Sequence, residues 1–120
     1  MEITVKSTDT FHTFYLKGRL DLASSSELKE KVKEYLKQGR TNIILNLAQV
    51  DFINSSGLGT LVSTLKEVRT ARGKIVLCCL APYVKEIFEI TQLTHIFDIY
   101  VDEGRAQEGF IQSVTMQTNQ

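Results

Sequence analysis

Apolar residues recur along the chain in two rhythms, one of short β-branched or aromatic stretches and one with the three-to-four-residue period of a helix facing a core. EITVKS and TFHTFYLKG, separated by the Ser-Thr-Asp-Thr cluster at 7 to 10, read as a hairpin. His12 falls inside the second of these strands, where it reads as a satisfied structural residue. RLDLASSSELKEKVKEYLKQG then places Leu28, Val32, Tyr35 and Leu36 on one helical face. Ser24 and Glu27 have the spacing of a capping box, Gly39 stands as a C′ residue, and Glu27 precedes Lys31 in the order that favours an ion pair. The spacing predicts a helix over 24–38.

TNIILNLAQVDFI and KIVLCCL carry unbroken apolar runs, the mark of strands buried on both faces in the middle of a sheet. Between them Leu58, Leu61, Val62, Leu65 and Val68 recur at helical spacing from Ser56 onward, and Gly73 closes that run after Arg69 and Arg72. Pro82 suits the first turn of a third helix that presents Val84, Ile87 and Phe88 and lasts to about residue 91. HIFDIYV reads as a last short strand that begins at His95. DEGRAQEGFIQSV reads as a weaker helix that buries Ala106, Phe110, Ile111 and Val114. The expected order is β-β-α-β-α-β-α-β-α: one α/β domain over 1–112, a mixed sheet of four to five strands with about four helices, and a flexible tail over 113–120.

Composition narrows the function classes. The 14 basic and 14 acidic side chains cancel, so no overall field draws the protein to nucleic acid or to an anionic membrane, and direct DNA binding is not expected. No apolar run approaches the roughly 20 residues of a membrane span. The N-terminal residues lack the pattern of a signal peptide, which makes the cytoplasm the expected compartment. Cys78 and Cys79 are neighbours in a strand and read as small core or half-buried residues rather than a disulfide, and with His12 and His95 far off in sequence they make no metal site.

The candidate chemistry lies in INSSGLGT, where the central strand hands over to the second helix. Ser55 and Ser56 belong near the unpaired N–H groups at the positive end of that helix, a place that tolerates an anion. Gly57 and Gly59 carry no side chains, which suits either close approach by another protein or tight packing on the sheet; spacing alone leaves both open. A hydrolase elbow is not present, because Ile53 and Asn54 stand where the first glycine of G-x-S-x-G would fall in either register. A phosphate-binding P-loop is missing too, for want of its lysine.

The strand, the serine junction and the helix together resemble the STAS domain, in particular the small bacterial anti-sigma factor antagonists. GRLD at 18–21 looks like the turn after that family's second strand, NIILNLAQVDFINSSGLGTLV like its central strand and phosphorylation loop, and APYVKEIFEITQLTHIFDIY like its third helix and last strand. The resemblance covers residues 2–112. It implies a switch rather than an enzyme, with no cofactor and no metal. Ser55, with Ser56 as a secondary candidate, would be phosphorylated by an anti-sigma factor that is itself a serine kinase. The unphosphorylated form would bind that factor and release a sigma factor, and a PP2C-type phosphatase would reset the switch. The implied partner surface is Asp21, Asn54, Ser55, Ser56, Gly57, Leu58 and Gly59, on a monomer or weak dimer. Asp21 reads equally as a turn-former. Asn54 departs from the family's usual aspartate, which removes a negative charge beside the phosphate and keeps the ability to cap a helix. Two other readings fit the same resemblance: a scaffold or sensory-complex module that is never phosphorylated, and a domain that binds a nucleotide or another small ligand.

Overall fold

β3 (Asn42–Ile53) is the middle of the fold, and its alternate side chains go to two separate cores: Ile43, Leu45 and Leu47 to one, Ile44 to the other. The computed structural model describes the backbone of residues 1–118 and the side chains of residues 1–111. Around β3 lie β1 (Glu2–Ser7), β2 (His12–Leu20), β4 (Lys74–Cys78) and β5 (Asp98–Tyr100), in the order β1-β2-β3-β4-β5. β1 and β2 pair antiparallel, and every later pairing is parallel. The hairpin between the first two is closed by Thr8, whose Oγ1 donates to the Phe11 carbonyl at 3.2 Å and accepts from the Phe11 N–H at 3.1 Å.

The helices are α1 (Leu22–Lys37), α2 (Ser55–Thr70), α3 (Pro82–Ile90) and α4 (Glu103–Thr118). Each parallel step moves one strand over in the same direction, so right-handed crossovers place α1, α2 and α3 on one face of the sheet. There Leu28, Val32, Leu61, Leu65, Val68, Val84 and Phe88 pack against Phe14, Leu16 and the inward residues of β3. The opposite face is covered by α4 through Ala106 and Phe110, which meet Phe11, Ile44, Val76 and Cys78. Asn46 Nδ2 on β3 donates to Glu103 Oε1 at 3.0 Å and anchors the start of α4. Burial, and then the neighbouring Glu103 carboxylate, push the Tyr15 hydroxyl up to about 12.

Several boundaries differ from expectation, each for a local reason. α1 begins two residues early because Asp21, not Ser24, is its N-cap. The capping box is Asp21 with Ser24, in which Ser24 N–H donates to Asp21 Oδ1 at 3.2 Å and Asp21 N–H donates to Ser24 Oγ at 3.0 Å. Glu27 pairs with the N-terminal amine at 3.9 Å instead of Lys31, and Lys31 pairs with Glu34 at 3.9 Å. β4 stops at Cys78 because Cys79 turns left-handed at φ 63°, so the two thiols are not strand neighbours; both are free, and burial pushes the Cys78 thiol up. α2 ends at Thr70 and the left-handed turn falls on Arg72, at φ 62°. Gly73 serves packing instead, since a Cβ there would lie 2.2 Å from the Thr41 carbonyl oxygen. His95 sits in a 3-10 turn, Leu93–His95, that precedes β5. Ile111 is exposed, and Val114 lies outside the residues whose side chains are described. The backbone of α4 runs on to Thr118; residues 119 and 120, the end of the expected tail, lie outside the described residues.

His12 is buried as a structural residue, its Nδ1 2.7 Å from Ser7 Oγ and its ring edge-on to Tyr35 at 5.3 Å. Burial, reinforced by the Arg40 charge, lowers its pKa, so folding favours the neutral ring. Stability from this group is complete above the unfolded value and is lost as pH falls through it toward the folded value. We expect the urea midpoint to drop between about pH 7.5 and about pH 6 and His12→Gln to flatten that segment; an unchanged slope in the variant would refute the assignment.

Candidate functional site at the start of α2

β3 ends at Ile53, and Asn54 turns the chain into α2 from an extended conformation, φ −123° and ψ −173°. Asn54 Oδ1 accepts from the Gly57 N–H at 3.0 Å, and its carbonyl accepts from the Leu58 N–H at 2.9 Å. Asn54 is therefore the cap, and Ser55 and Ser56 are the first two residues of the helix proper. Both serines are exposed, and among the described residues neither hydroxyl makes a hydrogen bond. Their backbone N–H groups precede the first helical acceptor and point out of the helix end. The result is two free hydroxyls beside free donors at the positive end of a sixteen-residue helix.

The two glycines divide the alternatives that spacing left open. Gly57 is buried, and a Cβ on it would sit 2.0 Å from the Leu20 carbonyl oxygen and 3.1 Å from Ile53 Cγ1. It lets the first turn of α2 press against the end of β2. Gly59 is exposed, and a Cβ there would meet nothing within 4 Å. Its missing side chain leaves open surface one helical turn from Ser55 and Ser56. Leu58 between them is half-buried against the core.

Asp21 comes to the same end of the sheet on the turn that leads from β2 into α1, and it is occupied. Besides capping α1, its Oδ2 lies 3.5 Å from Arg19 Nε. The Ser24 N–H, helped by Arg19, holds its carboxyl below the ordinary range. Arg19 in turn lies over the Phe52 ring at 3.8 Å, linking the Asp21 turn to the last residues of β3. A further bond joins α1 to α2 between the buried hydroxyls of Ser25 and Thr60.

Sequence reasoning missed two residues here. Tyr83, at the start of α3, places its hydroxyl 3.2 Å from the Ile53 N–H and 3.3 Å from the Ile53 carbonyl, clasping β3 one residue before the cap. Leu22, immediately after Asp21, is 74% exposed. Only the sheet topology, which sets Leu20 at the end of β2 beside Ile53 at the end of β3 and brings α3 back against β3, could have revealed either one. Among the described residues no group of His, Cys, Asp and Glu side chains could hold a metal ion. Among the described residues no helix is long and apolar enough to cross a membrane.

The STAS domain family model matches residues 2–106, and the chain belongs to that family. It is 30% identical over 110 residues to BtrV of Bordetella bronchiseptica, across 92% of this chain and 95% of that one. It is 30% identical to the anti-sigma-B factor antagonist of Listeria monocytogenes, across 87% and 92% of the two chains. Among solved structures, the Thermotoga maritima protein TM1081 superposes with a TM-score of 0.79 at 27% identity, across 90% of this chain and 87% of that one. The unphosphorylated form of the anti-sigma factor antagonist SpoIIAA has the same fold, with a TM-score of 0.70 at 19% identity across 92% and 98% of the chains.

The contrast between the glycines is measurable in urea. Gly57→Ala should destabilise the domain by about 1–3 kcal/mol, because the Leu20 backbone cannot yield without moving β2. Gly59→Ala should stabilise it by up to about 1 kcal/mol, the helix-propensity gain of alanine. Equal effects at the two positions would refute the close approach of α2 to β2.

Proposed function

We propose that this protein is an anti-sigma factor antagonist switched by phosphorylation of Ser55. The observation that carries the reading is the idle Ser55 hydroxyl: exposed, unbonded, and set at the first helical position, where capping has been assigned to Asn54 instead. The relatives named for this activity match nearly the whole chain, which makes a shared role reasonable.

In this reading the partner is an anti-sigma factor of the serine-kinase type, met in the cytoplasm, and the docking surface comprises Asp21, Asn54, Ser55, Ser56, Gly57, Leu58 and Gly59. Leu22 and Tyr83 extend that surface. Asp21 and Gly57 act mainly by holding its shape, while Ser55, Ser56, Leu58 and Gly59 make contact. The kinase transfers the γ-phosphoryl group of ATP to Ser55 Oγ: the O–P bond forms, the bond to ADP breaks, and the hydroxyl proton leaves. A PP2C-type phosphatase hydrolyses the ester and restores the serine. The protein itself performs no chemistry.

A phosphoserine carries about −1.5 to −2 charge. Beside the free N–H groups of Ser55 and Ser56 that charge costs the fold little. A partner packed on the same turn would have to bury an unpaired dianion, at several kcal/mol, and each ~1.4 kcal/mol weakens the complex tenfold. Asn54 adds no like charge next to the phosphate, so discrimination rests on the phosphate itself.

The test is phosphopeptide mass analysis of the protein from its native cells, paired with binding to the candidate anti-sigma factor. We expect one phosphate on wild type and none on Ser55→Ala. Ser55→Ala should keep binding, and Ser55→Asp should bind at least about tenfold more weakly. Retention of the phosphate in Ser55→Ala, with its loss in Ser56→Ala, would move the switch to Ser56. Equal binding by the Ala and Asp variants would refute the switch.

A further inference from the structure

Among the described residues β1 is a terminal strand of the sheet and pairs only with β2, so its outer row of N–H and C=O groups has no strand partner there. The opposite terminal strand, β5, has three residues, whereas β1 offers six in regular alternation. Ile3 and Val5 are half-buried against the core, and Glu2, Thr4 and Lys6 stand exposed on the other side of the pleat. Exposed edges of this kind are pairing templates unless something blunts them.

The sequence of this edge is self-complementary. We propose that two copies of the chain associate through β1 as antiparallel neighbours related by a two-fold axis at Thr4, giving one continuous ten-stranded sheet. In that register Glu2 lies opposite Lys6 of the second copy, Lys6 opposite its Glu2, Ile3 opposite its Val5, and Thr4 opposite Thr4. Opposite charges then meet on one face and apolar residues on the other, the pairings that stabilise antiparallel neighbours. The register is unique. Moving the axis to Ile3 or to Val5 leaves a charged residue opposite Thr4 and breaks both ion pairs, and a one-residue slip sets charged side chains against apolar ones.

Charge order across the joined sheets agrees. Glu2 already pairs with Lys17 on β2 at 3.9 Å, so the row would run Lys17, Glu2, then Lys6 of the second copy, with no like charges adjacent. Lys6 faces Thr13 on its own β2 and its Nζ lies 5.4 Å from the centre of the Tyr15 ring, with no carboxylate paired to it among the described residues. The Ser55 turn lies at the end of β3, two strands away, and stays open in both copies. This association is independent of the phosphorylation reading.

The experiment is sedimentation equilibrium of the full chain at concentrations up to the order of 1 mM, since a single pair of edges falls below the area of stable dimers. Wild type should show a monomer–dimer equilibrium. Lys6→Glu and Glu2→Lys, each with an unchanged circular-dichroism spectrum, should each weaken it about tenfold or more, because both symmetric pairs turn repulsive. An equimolar mixture of the two variants should regain a heterodimer, since every charged pair is then opposite in sign, and the Glu2→Lys, Lys6→Glu double variant should self-associate again. A wild type that stays monomeric throughout, or a dimer indifferent to both single substitutions, would overturn the proposal.

Discussion

The contact on which the site depends is the approach of the Gly57 Cα to the Leu20 carbonyl. A Cβ at this point would fall 2.0 Å from that oxygen, so the first turn of α2 reaches the end of β2 only because residue 57 has no side chain. The approach positions the rest. Asn54 N–H can donate to the same carbonyl at 3.4 Å, the β2–α1 turn carrying Asp21 comes alongside, and the Ser25 and Thr60 hydroxyls meet between the two helices. A bulkier residue would lift α2 off the sheet and spread apart the elements that form the surface around Ser55.

The two faces of the sheet divide the work unequally. Three helices seal one face over a core that runs from Phe14 to Phe97, and every loop of the candidate surface belongs to that layer. The other face depends on α4, with Ala106 and Phe110 buried among its described side chains and Glu103 held by Asn46. The serine junction is thus braced by the larger core, by Tyr83 on the strand before it and by Asn54 within it. Under the proposed function such bracing would let charge, and not movement, make the difference between the two states of the surface.

Most of the fold was legible because its apolar patterns are strong. Ile43 to Leu45 and Leu47 marked the central strand, and Leu61, Leu65 and Val68 marked the helix after the serines. The errors occur where one polar side chain settles a boundary. Asp21 won the cap of α1 over Ser24 because its carboxylate reaches the third helical N–H while Ser24 answers from that position, and a run of three serines offers several equivalent registers on paper. The serine pair itself was visible. Its freedom was not, since that depends on Asn54 taking the cap. Tyr83 and Leu22 were beyond reach for another reason: they join the site through strand order, which local periodicity does not encode.

Asn54 would give the proposed switch its electrostatic character. An aspartate there would cap α2 equally well and would add a fixed negative charge beside Ser55 in both states, partly neutralising the helix end before any phosphate arrived. The neutral amide keeps the hydrogen bond to the Gly57 N–H and leaves the positive end of α2 intact. In the proposed switch a phosphorylated Ser55 would lie close to free donors with no carboxylate from residue 54 opposing it, while the unmodified chain would show a partner a nearly uncharged turn of serine, leucine and glycine. Under that proposal the whole change in charge between the two states would come from the modification, and its cost would fall on the complex rather than on the fold.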